Sequence, residues 1–230
     1  MERAVAALRA AGDDAPARER ARAHVELAIV IRNQGSRYDA DDVVRRGRAH
    51  AAEALELYRQ LDDRAGIGWA LTVQAWFEQG ESFPQGRRRA LAEEALECAR
   101  AAGDRRLIGL ALLERALAVP PDEAGADFNT AESALREAGN ARGVLELYAG
   151  SAHNAVKAGG PEHAGAWLDQ ALSLARELDG PLGDPDVVGQ LEERFFAPAR
   201  ARLGEGRWDE TSHAGAGLGF DEAIAIAIGR

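Results

Sequence analysis

At 230 residues the chain has room for one large domain or two small ones, and 46% of it is hydrophobic, much of that alanine and leucine. A net charge of −10 argues against a protein that holds nucleic acid or an anionic membrane through its bulk field. A single cysteine, Cys98, rules out an internal disulfide; among apolar helix positions it reads as a small core residue.

In chain order, one decapeptide returns five times: Ala4–Asp13, Ala54–Asp63, Ala95–Asp104, Ala131–Asn140 and Ala171–Gly180. Alanine always stands first and arginine sixth, as Arg9, Arg59, Arg100, Arg136 and Arg176. Apolar residues at positions 4, 5 and 8, such as Leu57, Tyr58 and Leu61, predict the buried stripe of a helix. The arginine falls in the last turn, against the negative end of the helix dipole. A solvated capping role accounts for all five; a phosphate-binding ladder is the alternative. Gly12, Gly103 and Gly139 suit the left-handed residue that closes a helix, and Asp13, Asp63, Asp104 and Asn140 can cap the next one. Each copy therefore predicts a helix end, a tight turn and a helix start.

Further helices are expected over about Ala17–Gly35, Asp63–Gly80, Asp104–Pro120, Ala141–Gly159 and Asp184–Gly204, most ending at glycine. Asp63–Gly80 and Asp104–Pro120 align without gaps, Gly68 on Gly109 and Leu71 on Leu112. Breaker-rich stretches, SRYDADD, ESFPQGR, PPDEAGAD and GGPE, are expected to be loops. The intervals between copies, 50, 41, 36 and 40 residues, are those of stacked helical hairpins. The first copy has no helix ahead of it, so the chain is expected to open mid-repeat, as part of a longer protein. A lone N-terminal capping helix is the alternative. Residues 1–212 are expected to form the solenoid. Residues 213–230 are expected to form a glycine-rich linker and a short capping helix from Asp221.

The aromatic residues resemble those of tetratricopeptide-like units: Ala75-Trp76-Phe77-Glu78-Gln79-Gly80 before Phe83, and Leu203-Gly204-Glu205-Gly206-Arg207-Trp208-Asp209-Glu210, with Trp208 on a turn. The intervals exceed the roughly 34 residues of that family, and no copy carries its full signature. The resemblance implies an all-α fold, a TPR-like α-α superhelix of about five hairpins. Asp104-Arg105-Arg106, Leu174–Leu178 and Phe220–Ile228 also resemble the C-terminal helical region of large bacterial signal-transduction ATPase regulators with LuxR-type or SARP-type output. That resemblance implies a sensor arm that binds an inducer or a partner protein and restrains the ATPase.

Little points to catalysis. No glycine-rich segment carries the Lys and Ser/Thr of a phosphate loop, and Gly215–Gly219 follows no predicted strand. His50 and Glu53 share a helix face, read as a surface hydrogen bond rather than a metal pair. No cofactor or metal is expected. Trp69 and Trp76, seven apart, share one face of a helix. A column of Ile31, Trp76, Leu117 and His153 along successive first helices would form a mostly apolar strip able to hold a peptide. The binding candidates are Arg32, Trp76, Arg115, His153 and Asn154. The expectation is a cytoplasmic, non-enzymatic module that takes a protein or peptide in a concave groove, without direct contact to nucleic acid or membrane. It would be either a homodimer or an arm belonging to N-terminal ATPase and DNA-binding domains. A stand-alone self-associating scaffold, or a small-ligand receptor or enzyme with its site inside the curve, is the alternative.

Overall fold

A computed structural model describes residues 16–33, 40–78, 85–157, 197, 200–201 and 204–215. Among these, every regular element is an α-helix. The chain divides into two compact units, Met1–Ala118 and Val119–Arg230.

In the first unit α1 (Ala17–Asn33), α2 (Ala40–Gln60), α3 (Arg64–Ala75), α4 (Gln85–Ala102) and α5 (Arg105–Ala116) each pack on the next in sequence. In addition α1 touches α3 and α3 touches α5, so alternate helices lie side by side in one layer. The core is built from small and branched apolar residues: Val25, Leu71, Leu96, Leu112 and Leu113 are almost wholly buried, and Ala54, Ala70, Ala95 and Ala111 let the backbones approach.

The repeated decapeptide produces the reversals. Asp63, Asp104 and Asn140 donate their amides back to the carbonyls of Tyr58, Ala99 and Leu135, at 3.0, 3.1 and 2.8 Å. The preceding residues bond to Arg59, Arg100 and Arg136, which completes a Schellman turn. The same three side chains then accept from Gly66, Leu107 and Gly143, at 3.1, 3.0 and 3.1 Å. One residue thus closes a helix and caps the next. The left-handed position is Gly103 (φ 68°) and Gly139 (φ 64°), as expected, but in the second copy it is Asp62 at φ 50°. A side chain there costs free energy that glycine avoids. Asp62→Gly is expected to raise stability by up to ~1 kcal/mol, read from the urea midpoint; a loss would mean the Asp62 side chain stabilises the turn.

Several details differ from the sequence expectation. The buried stripe of the described copies comprises positions 1, 2, 4 and 5, with Leu55, Leu96 and Glu132 at position 2; position 8 lies on or beside the turn, and Leu61 is 38% exposed. α3 and α5 stop at Ala75 and Ala116, short of the glycine or proline that was expected to end them. PPDEAGAD is largely helix, because Pro121 opens α6 at the position where a missing N–H has no helical acceptor to lose. Ala40–Asp42 likewise begin α2, and Gln85–Arg87 begin α4.

In the second unit α6 (Pro121–Glu137) packs on α7 (Ala141–Lys157). Tyr148 donates to Glu132 and accepts from Arg136, both at 2.7 Å, and burial followed by the bond to Glu132 pushes its phenol well above the usual range. Trp208 stands not on a turn but within α8 (Glu205–Gly215), buried, with the Arg200 guanidinium 5.1 Å from its ring. Glycine at 204 provides the helix start instead: the Trp208 amide bonds its carbonyl at 3.0 Å. α8 runs through His213–Gly215, into the stretch expected as linker. The expected fifth decapeptide and the helix from Asp221 lie outside the described residues, as does the first decapeptide.

Candidate functional site

The layer of α1, α3 and α5 carries the most distinctive chemistry of the first unit. Seven residues make two helical turns, so Trp69 and Trp76 fall on the same side of α3. Their rings meet edge to face, 5.9 Å apart at 80°. Each ring takes a guanidinium from a neighbouring helix of the layer: Arg106 of α5 lies 5.3 Å from Trp69, and Arg32 of α1 lies 4.4 Å from Trp76. The result is a pair of indoles, Trp69 half-buried and Trp76 buried, bridging three helices.

At the C-terminal end of α3 the environment is polar but closed. Trp76 is 7% exposed and Glu78 is 4% exposed. Arg48 of α2 and Arg87 of α4 reach Glu78 Oε1 at 2.9 and 3.2 Å. Neither guanidinium is aligned for a hydrogen bond, and the indole N–H of Trp76 is buried without an acceptor. Buried polar atoms in that condition are uncommon in folded proteins and mark a place that water or a ligand can satisfy.

At the N-terminal end of α3 a cavity of about 360 Å³ opens between α1, α3 and α5. Arg18 and Arg22 of α1 line one side, Trp69 and Asp63 the centre, and Asp104 and Arg106 the other side. Asp63 also holds Arg18 at 3.3 Å.

Of the sequence candidates, the structure brings Arg32 and Trp76 together. Arg115 lies in the last turn of α5, in the same layer, half-buried. His153 and Asn154 fall on α7 of the second unit, and their side chains lie outside the described residues. In the apolar column Ile31 and Trp76 are buried and Leu117 is half-buried.

His50 makes a contact that its spacing to Glu53 does not reveal. Its Nδ1 lies 3.0 Å from Nδ1 of His24, across the α1–α2 interface. Burial, above all, lowers both imidazoles from their ordinary value; Glu53 opposes this, while Arg20 and Arg46 add to it. A neutral pair sharing one proton fits that setting. Among the described residues no three metal-capable groups converge. Cys98 is buried, and its burial raises the thiol, which suits packing rather than attack.

Compared with protein-family models, with curated proteins and with solved structures, the chain has no match. Among the described residues no helix is long and apolar enough to cross a membrane. The site must therefore be read from its own geometry. Sequence reasoning missed Arg18, Arg22, Arg48 and Arg106, because an arginine on a helix has no local signature that separates a groove from solvent. Glu78 belongs to the stretch that resembles a tetratricopeptide-like unit; its burial is a tertiary fact.

Proposed function

We propose that the chain is a non-enzymatic interaction or sensor module that receives a peptide segment along the α1/α3/α5 layer. The observation that carries this reading is the Trp69–Trp76 pair with an arginine from each flanking helix. Tryptophan and arginine are the side chains that most often dominate protein interfaces, because they bury large area at few torsions and retain polar handles. The side-by-side contact of alternate helices supports a TPR-like superhelix, in which one layer offers a continuous groove. The likeness of the sequence to the sensor arm of bacterial ATPase regulators supports the same role. Binding would centre on the half-buried Arg32 and Arg115, with the buried Trp76 holding the Arg32 guanidinium in place.

A randomised peptide-display selection on the intact chain tests it. Enriched peptides should bind with micromolar affinity by fluorescence anisotropy. Arg32→Glu and Arg115→Glu should each weaken them about tenfold, roughly 1.4 kcal/mol, while Arg142→Glu in α7 leaves them unchanged. An empty selection, or peptides indifferent to both substitutions, would overturn the reading.

A further inference from the structure

The cavity at the N-terminal ends of α1, α3 and α5 has a chemistry of its own. Arg18 and Arg22 stand one helical turn apart, and Arg106 faces them from α5. Three guanidiniums gathered on a chain of net charge −10 are not what its average surface offers. Two carboxylates share the lining, but each already has a partner: Asp63 accepts from the Gly66 amide and holds Arg18, and Asp104 accepts from the Leu107 amide. The lining thus has one positive charge in excess. Its apolar part is Trp69, Tyr58 and Leu107. The volume of about 360 Å³ lies in the range of small-molecule sites, roughly 300–1,000 Å³.

We propose that this cavity binds a free organic monocarboxylate with an aromatic or apolar body. The planar fork of a guanidinium matches a carboxylate, and Arg22 of α1 and Arg106 of α5 both line the cavity. Trp69 and Leu107 receive the apolar body. A monoanion balances the excess charge, whereas a phosphate dianion would set a second negative charge against Asp63 and Asp104. The site shares Trp69 and Arg106 with the peptide reading but not Trp76, Arg32 or Arg115, so substitutions at Arg22 on one side and at Arg32 or Arg115 on the other separate the two.

Titration calorimetry of the full chain with 4-phenylbutyrate, 4-phenylbutanamide and phenyl phosphate tests it. The carboxylate should bind about tenfold more tightly than the isosteric amide, and more tightly than the phosphate. Arg22→Glu and Arg106→Glu, both at exposed positions, should each weaken it about tenfold with the helical circular dichroism unchanged. Arg22→Gln and Arg106→Gln, which remove only charge, should follow in the same direction. Equal binding of acid and amide, preference for the phosphate, or charge-reversed variants that bind like the parent would each overturn the proposal. If the peptide selection fails while phenylbutyrate binds, the groove reading falls and the cavity stands.

Discussion

Arg88→Ala is expected to lower the stability of the chain by about 3–5 kcal/mol. Arg88 in the first turn of α4 donates from Nε and from a terminal nitrogen to one oxygen of Glu114, at 3.0 and 2.7 Å. Glu114 is 2% exposed and sits on α5, so truncating the arginine leaves a desolvated carboxylate with its main counter-charge gone. That loss measures the penalty of the orphan rather than the net contribution of the pair, because both charges gave up water to meet. Replacing both, as Arg88→Met with Glu114→Leu, should accordingly return to within about 1 kcal/mol of the parent or exceed it. The exposed pair Arg89–Glu93, one residue along, supplies the contrast: Arg89→Ala should cost no more than about 0.5 kcal/mol. Urea titration of the three variants checks this. A single variant at Arg88 that matches the one at Arg89 would show that Glu114 is not held in a dry site.

What the sequence disclosed was whatever is encoded within a few residues. Asp104 can be read as a cap because its partner, the Leu107 amide, is three residues ahead and its amide acceptor, Ala99, five behind. Gly103 can be read as a helix stop because left-handed backbone is a property of one residue. The same local reading failed at Pro121, where a breaker is tolerated as the first residue of a helix, and at Trp208, where Gly204 begins a helix rather than spanning a turn. The tertiary partners were hidden for a different reason. Arg32 and Trp76, or His24 and His50, meet only when two helices settle at a given offset, and periodicity fixes a face but not the register of what packs on it. Trp69 and Trp76 were legible as a pair since Trp76 caps the helix that carries Trp69; the arginines over them were not.

That distinction bears on which positions govern binding. The Trp76 end of α3 combines a buried indole with Glu78, Arg48 and Arg87, so a change there disturbs packing and recognition together. At the Trp69 end, Arg22 and Arg106 are exposed, so their substitution disturbs packing less, Arg106 losing only its contact with the Trp69 ring. Experiments that separate a folded, non-binding chain from an unfolded one should begin at that end.

Gly47→Ala and Gly66→Ala are each expected to lower stability by roughly 1–3 kcal/mol, although alanine is the better helix former. A Cβ on Gly47 of α2 would stand 2.2 Å from two ring atoms of Phe77, and one on Gly66 of α3 would stand 2.2–2.5 Å from the ring of Tyr58. Both rings are buried, Phe77 at 3% and Tyr58 at 6% exposure, so neither can move aside without displacing its own neighbours. These two glycines set how closely α2 and α3 approach, from opposite sides of the interface. Gly86 and Gly206 are helical too, but a Cβ there meets nothing within 4 Å. Alanine at either should add up to ~1 kcal/mol, since only the helix propensity changes. Four substitutions of identical chemistry should therefore split by sign in a urea titration. Gly66→Ala has a second consequence, because Gly66 and Tyr58 both line the cavity between Trp69 and Arg22. Displacing the Tyr58 ring should weaken 4-phenylbutyrate there even at temperatures where the variant is fully folded, while Gly47→Ala, remote from that lining, should leave the affinity of the folded fraction unchanged. Stabilisation of Gly47→Ala on the scale of Gly86→Ala would mean that α2 and α3 pack less closely than Phe77 and Tyr58 require.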